Sequence, residues 1–405
     1  MDSTEEVKPA IVAAPAPASY RTGIVLTVLA WLISRFVITA TWSPARNPLQ
    51  FAIGQWSRWD SLNYLAIASK GRTFGLCSSS PFSSSPNPLS LKWCGTAGWL
   101  PGYPFLVRAM QAAGIDSAHG GLLIAWLAIG GALFLVWYGW GRNLPFWKSL
   151  VMLVLFGLFP GSVYNFALFP TSLALLAIVA ALIMAIRERF FLAAIFMTGA
   201  GLCYPSAWFA AGGLAIGMIL VAHNQGNSLA IRRGLWGLAG LSSVVLLLIH
   251  DYFAFDGKAT AFFLADSQSG LVATGFPGQE FLRLIFTRTT LEQRSIGSFG
   301  GAVLAVQGAL AVLLTVWATV RTTVGWRQGD RSPNSVYPAM VGFAVMLSIL
   351  LYGATGGAWN RSVVLAAPCV VCLRGMRSGW LVGTLIVVGV TTALISRYFF
   401  LGTLV

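Results

Sequence analysis

The sequence predicts an all-α, polytopic integral membrane protein with about eleven transmembrane helices and further interfacial helices in two long loops. Three observations carry that expectation. The 405 residues are 57% hydrophobic and only 9% charged, against about 25% charged in soluble domains, and mean hydropathy is +0.75. Apolar runs near the ~20 residues that cross a bilayer recur along the whole chain. Basic residues sit singly or in pairs at the ends of those runs, as the positive-inside rule expects. The net charge of +14 therefore implies no nucleic-acid partner, since that function needs Lys and Arg clustered on a soluble face.

Residues 1 to 21 begin polar, turn Ala/Pro-rich, and lack the basic start and cleavage site of a secretory signal, so they read as a disordered cytoplasmic tail. Residues 22 to 405 read as one transmembrane domain. Its apolar runs fall at 22 to 42, 120 to 140, 149 to 167, 170 to 187, 190 to 203, 206 to 222, 234 to 254, 298 to 320, 336 to 354, 361 to 376 and 378 to 400. The runs on either side of "CYPS" are short, and Pro205 suits either a kink in one helix or the turn of a hairpin. Charge favours the hairpin. With it, the connections carrying Arg142/Lys148, Arg187/Arg189, Arg232/Arg233, Arg321/Arg327/Arg331 and Arg374/Arg377 share one face, taken as cytoplasmic.

The other face then receives two long loops, residues 43 to 119 and 251 to 297, and two short ones, "YNFALFP" and "ATGGAWNR". Loops of such length are uncommon unless functional. In the first, "RWDSLNYLAIA" places Asp60, Tyr64 and Ile67 on one side of a helix, and "WLPGYPFLVRAMQAAG" suits a second, interfacial helix. Trp56, Trp59, Trp93 and Trp99 suit the membrane interface. Between the helices lies a Ser/Pro-rich stretch bounded by Cys77 and Cys94, which forms a disulfide if that face is oxidising and otherwise leaves two thiols. Cys203, Cys369 and Cys372 lie in apolar runs and read as packing. No repeat of fixed period, phosphate loop or dinucleotide fingerprint is present, and His119, His223 and His250 lack metal-ligand spacing, so no protein-held metal is expected.

Ionisable groups at membrane depth are costly and are functional candidates by default. Outside the cytoplasmic connections they include Arg58 and Asp60 in the first loop; Asp251, Asp256, Lys258, Asp266, Glu280 and Arg283 in the second; and Arg361 at the start of the tenth run. Counting runs puts all three groups on one side of the membrane.

"RWDSLNYLAIASKG" followed by "WLPGYPFLVR" resembles the paired signatures of PIG-V-like mannosyltransferases, a family of GT-C class membrane glycosyltransferases. "LFPTSLALLAI", "FDGKATAFFLADSQSG" and "NRSVVLAAP" are similar to further segments of that family, in its order, from about Trp56 to Pro368. The chain departs from the pattern at Leu173, where the family carries an acidic residue, and at "SG" after Gln268. The resemblance implies a GT-C fold and an inverting transfer of mannose from polyprenyl-phosphate-mannose to a membrane-presented glycolipid or glycan acceptor on the non-cytoplasmic side.

Such a donor meets the enzyme from within the bilayer, among membrane lipids, with its phosphate at the interface. Displacing a sugar from phosphate needs a base for the acceptor hydroxyl and a cation for the developing phosphate charge. Asp60 suits the first role and Arg361 the second. Lys258 and Arg58 are further candidates for the phosphate, and Tyr64, Tyr103, Asp256, Asp266, Gln268 and Asn360 for sugar or acceptor. Each has a plainer alternative: Asp60 as a helix cap or partner of Arg58, Arg361 as a snorkelling arginine, Tyr103 as interfacial packing, the second-loop residues as loop structure. No cofactor or divalent metal is required, because the donor leaves as a monophosphate whose charge an arginine can meet. A transporter or flippase of lipid-linked sugars is the competing class, and an inactive relative that only recognises a glycolipid is a third.

Overall fold

The structure, a computed structural model, describes residues 18–41, 53–58, 60–76, 93–226, 228–268, 291–352 and 357–402, without the side chains of 266–268, 291–298, 351–352 and 357–359. It is an all-α polytopic membrane protein. Among the described residues seven helices are long and apolar enough to cross a bilayer and three more are apolar but shorter. Together with the segment Gly357–Gly375 they correspond one for one to the predicted runs.

Helix α1 (Tyr20–Thr39) starts where Ser19 Oγ accepts the Thr22 N–H, and residues 1–17 of the predicted tail lie outside the described set. One face of α1 is buried through Leu26, Ala30 and Ile38, whereas Ile24, Val28, Leu32 and Phe36 leave an apolar face uncovered. Apolar residues on both faces suit lipid rather than water. The first loop folds over one end of the bundle: a single helical turn (Ile53–Trp56), α2 (Ser61–Lys70), a two-residue antiparallel ladder of β1 (Gly75–Leu76) with β2 (Trp93–Cys94), and α3 (Gly102–Ala112). The chain then runs through α4 (Ser117–Val136, extended by a π-helical turn to Gly141) and α5 (Phe146–Gly157). The run predicted to reach residue 167 stops at Gly157, because Pro160 and Gly161 turn the chain into the short α6 (Val163–Phe166).

Next come α7 (Thr171–Ile186), α8 (Phe190–Cys203), α9 (Ser206–Asn224), α10 (Ala230–Leu238) and, after one 3-10 turn, α11 (Ser242–Ala254). The hairpin reading of "CYPS" holds. Tyr204 is extended (φ −149°, ψ 132°), which breaks the helix. Down α8, Met197 faces Gly240 and Gly201 faces Ser243, so α8 runs parallel to α10–α11; Ala211, Ala215 and Ile219 of α9 face Gly240, Gly237 and Gly234, the opposite sense. Helices α8 and α9 are therefore antiparallel.

The last third comprises α12 (Ala261–Gln268), α13 (Leu291–Arg327), α14 (Pro333–Tyr352), α15 (Gly357–Val363), which passes into a 3-10 helix over Val364–Gly375, and α16 (Ser378–Phe400). Twelve residues is long for a 3-10 helix, which seldom exceeds three or four. Pro368 inside it can donate no backbone bond.

The two ends of the bundle differ in kind. At one, Arg187 donates to the Tyr138 hydroxyl, Arg233 pairs with Glu188 at 3.4 Å, and Asn334 O accepts from Trp140 Nε1 at 2.9 Å and Arg374 Nη1 at 3.4 Å. This gathers the basic connections onto one face, as charge counting predicted. At the other end Leu168 N donates to Trp56 O, Arg72 pairs with Asp251, and Asp60 pairs with Arg361.

Candidate functional site

Asp60 is positioned by the start of α2. Ser61 Oγ donates to Leu168 O at 2.9 Å and accepts the Arg58 N–H at 3.1 Å, pinning the turn before the helix to the α6–α7 connection. At the far end, Arg108 of α3 donates to the Ala68 and Ile67 carbonyls at 2.7 and 3.0 Å, satisfying groups that a helix C-terminus leaves open. With both ends held, Tyr64 and Ile67 turn inward as the spacing predicted, at 5% and 4% exposure. Asp60 stands at the N-cap position but makes no side-chain cap bond. Its carboxylate instead meets Arg361, 301 positions away. The cap and the Arg58 partnership, both open from sequence, are thus not what the carboxylate does.

Arg361 sits on α15 with its side chain 6% exposed, against 21% for Asp60. The guanidinium lies 6.0 Å from the Phe169 ring centroid. The turn at Gly161 (φ +84°) holds this segment close: a Cβ there would stand 1.9 Å from the Asn360 carbonyl oxygen. Only glycine fits such an approach.

Around the pair lie aromatic hydroxyls. Tyr64, Tyr164 and Tyr204 are within electrostatic range of the Arg361 guanidinium, and Tyr204 Oη is 3.3 Å from Ser362 Oγ. Burial pushes the Tyr64 hydroxyl well above its usual pKa, and the Asp60 charge pushes it further, so it stays a neutral donor. Asn360, beside Arg361, and Asn165, beside Tyr164 on α6, are fully buried, and neither amide oxygen nor nitrogen has a hydrogen-bond partner among the described residues. Arg361 Nε has none either. Unpaired buried polar groups cost about 1–3 kcal/mol each, so polar groups that paired with these would recover part of that cost.

Other predicted site residues are placed differently. The Tyr103 hydroxyl donates to Gly121 O at 2.8 Å, fully buried, which is the packing alternative. Arg58 Nη2 donates to the Phe400 carbonyl at 2.8 Å at the end of α16. Lys258 is exposed, over the rings of Trp93 and Phe74 at 4.7 and 5.8 Å. Asp256 is an exposed turn residue at φ 49°. Asp266 and Gln268 lie on α12, and their side chains fall outside the described set, as do Trp59, Cys77, Glu280 and Arg283. Cys94 takes part in a disulfide. Among the described residues no group of three or more His, Cys, Asp or Glu could hold a metal ion.

Trp56 corrects the interface reading. It is fully buried, edge-on to Phe400 at 5.1 Å, and with Trp31 and Trp126 it surrounds the Arg35 guanidinium at 5.0, 5.4 and 4.1 Å. The sequence reading missed Arg35, Arg72, Tyr164, Asn165 and Tyr204. A lone arginine within an apolar helix was the available signal for Arg35; nothing local marks Asn165.

No protein-family model matches the chain, and no curated protein matches it. Among solved structures, the chain is similar to the archaeal oligosaccharyltransferase AglB of Archaeoglobus fulgidus in complex with an inhibitory peptide and a dolichol-phosphate, at TM-score 0.47 and 12% identity over 93% of this chain and 55% of that one. It is also similar to the apo form of the A. fulgidus oligosaccharyltransferase, at TM-score 0.46 and 11% identity over 94% and 56% of the two chains. A third structure, with a tethered acceptor peptide, gives TM-score 0.47 and 10% identity over 94% and 55%. The chain thus spans a little over half the length of these proteins.

Proposed function

We propose that the protein is a GT-C-type inverting glycosyltransferase that moves mannose from a polyprenyl-phosphate-mannose donor to a hydroxyl of a membrane-presented glycolipid or glycan, on the non-cytoplasmic side. The observation that carries this reading is the Asp60–Arg361 pair, a base and a cation side by side at the end of the bundle away from the basic connections. In the reaction the acceptor oxygen attacks the anomeric carbon as the carbon–oxygen bond to phosphate breaks. Asp60 takes the acceptor proton, and Arg361 meets the charge left on the polyprenyl phosphate. Arg361 changes partner from carboxylate to phosphate, which frees Asp60 to act. Asn360, Asn165, Tyr64 and Tyr204 supply neutral donors and acceptors, the chemistry that sugar hydroxyls match. A bound metal is not needed for this route.

The test uses the purified protein in proteoliposomes with radiolabelled polyprenyl-phosphate-mannose and a membrane extract as acceptor. Label should enter a new glycosidic product. Asp60→Asn, which keeps an acceptor for Arg361, should lower transfer by about 10²–10⁴-fold, the usual share of a general base. Arg361→Ala should weaken use of the donor above all. Undiminished transfer by Asp60→Asn would remove Asp60 as the base. Movement of the labelled lipid across the bilayer without a new bond would make the protein a transporter.

A further inference from the structure

At the basic end of the bundle, remote from Asp60, a cavity of about 700 Å³ opens between α13, the start of α14 and the end of the 3-10 helix. Its wall on α13 is Leu313, Val316, Trp317, Val320 and Val324, spaced to form one helical stripe and 45–62% exposed. The stripe leads to Arg321. Among the described residues Arg321 makes no ion pair and no hydrogen bond. Its Nη2 lies close to Gly375, where a Cβ would stand 2.3 Å away. A second guanidinium, Arg374, donates among the described residues to neutral groups, Asn334 O at 3.4 Å and the cavity-lining Ser335 Oγ at 3.3 Å. Asp330, the one acid on the wall, is engaged with the Ser332 N–H at 3.2 Å. Trp317 faces Trp380 at 6.5 Å, and Trp380 is 64% exposed near Arg377, which sets the charged end of the cavity at headgroup depth.

We infer that this cavity binds one anionic phospholipid of the bilayer, its phosphate held by Arg321 and Arg374 and an acyl chain laid along the Leu313–Val324 stripe. Charge decides for an anionic headgroup, since Arg321 on the wall and Arg374 beside the wall residue Ser335 outweigh the single carboxylate of Asp330. Length decides for an acyl chain. Eleven residue steps at 1.5 Å make a stripe of ~16 Å, half of a ~30 Å hydrocarbon core and far short of a polyprenyl chain. The inference does not depend on the proposed transfer reaction.

Native mass spectrometry of the detergent-purified full chain, titrated with phosphatidylglycerol or phosphatidylcholine, tests it. The wild type should retain phosphatidylglycerol in clear preference, and Arg321→Gln should cut that preference about fivefold, the worth of one basic residue at a headgroup. Arg374→Gln removes the second guanidinium and should lower the preference to a similar degree. Arg327→Gln, at the same end but not on the cavity wall, should change little. Equal retention of the two lipids, an equal loss in Arg327→Gln, or full preference in Arg321→Gln would each overturn the site. So would displacement of phosphatidylglycerol by an equimolar polyprenyl phosphate, which would assign the cavity to the carrier lipid.

Discussion

Asp60 was legible in the sequence because a carboxylate among tryptophans beside an apolar run needs a partner, and counting runs put Arg361 on the same side. Their direct pairing was not legible, since no local pattern relates positions 301 apart. Asn165 carries no charge and sits in "YNFALFP", so only its burial without partners reveals it. Tyr103 shows the opposite error, a polar group whose bond is spent inside the fold. Burial raises its pKa from the ordinary 10.0, so the folded chain keeps a proton that the unfolded chain gives up near that value. Stability from this group is therefore complete below about pH 10 and is lost as pH rises beyond it. Tyr103→Phe should cost about 1 kcal/mol at neutral pH, leave transfer unchanged and soften the alkaline loss. Thermal unfolding of both proteins at about pH 8 and about pH 11 checks each part.

Among the elements, the helices were the most readable, because an apolar run of span length has few other fates. Short features were harder. Residues 158–162 read as the continuation of a span, yet they form the turn on which Asn360 rests, and Pro160–Gly161 was the signal that outweighed hydropathy. Gly161→Ala meets a positive φ and a backbone oxygen together, and backbone cannot yield as a side-chain tip can. It should displace α15 and reduce transfer at least as much as Arg361→Ala, with donor binding by isothermal titration falling in parallel. An activity close to wild type would mean that α15 finds its place without this turn.

At the scale of the whole molecule, one end is stapled by Arg72 and Asp251, whose side chains are 2% and 0% exposed. Asp251 also accepts the Phe262 N–H at 2.9 Å and Arg72 donates to the Ala97 carbonyl, so one ion pair joins α11, α12 and the first loop. Arg72→Met strands a buried carboxylate and should cost about 3–5 kcal/mol, whereas Asp251→Asn added to it should recover much of the loss. A double-mutant cycle by thermal unfolding measures the coupling, and simple additivity would show that the two are independent. The sequence named Asp251 but not its partner, because Arg72 stands in a loop whose path only the fold supplies. The 3-10 helix joins both ends in another way. Its twelve residues reach ~24 Å at 2.0 Å each, where an α-helix of that length would reach ~18 Å. Arg361, on the α-helical turn that leads into this tightly wound rod, and Arg374, at its far end, thus bracket it. Its winding number sets the distance between the charged ends, and unwinding or tightening by a single turn would move one arginine relative to the other along the bundle axis.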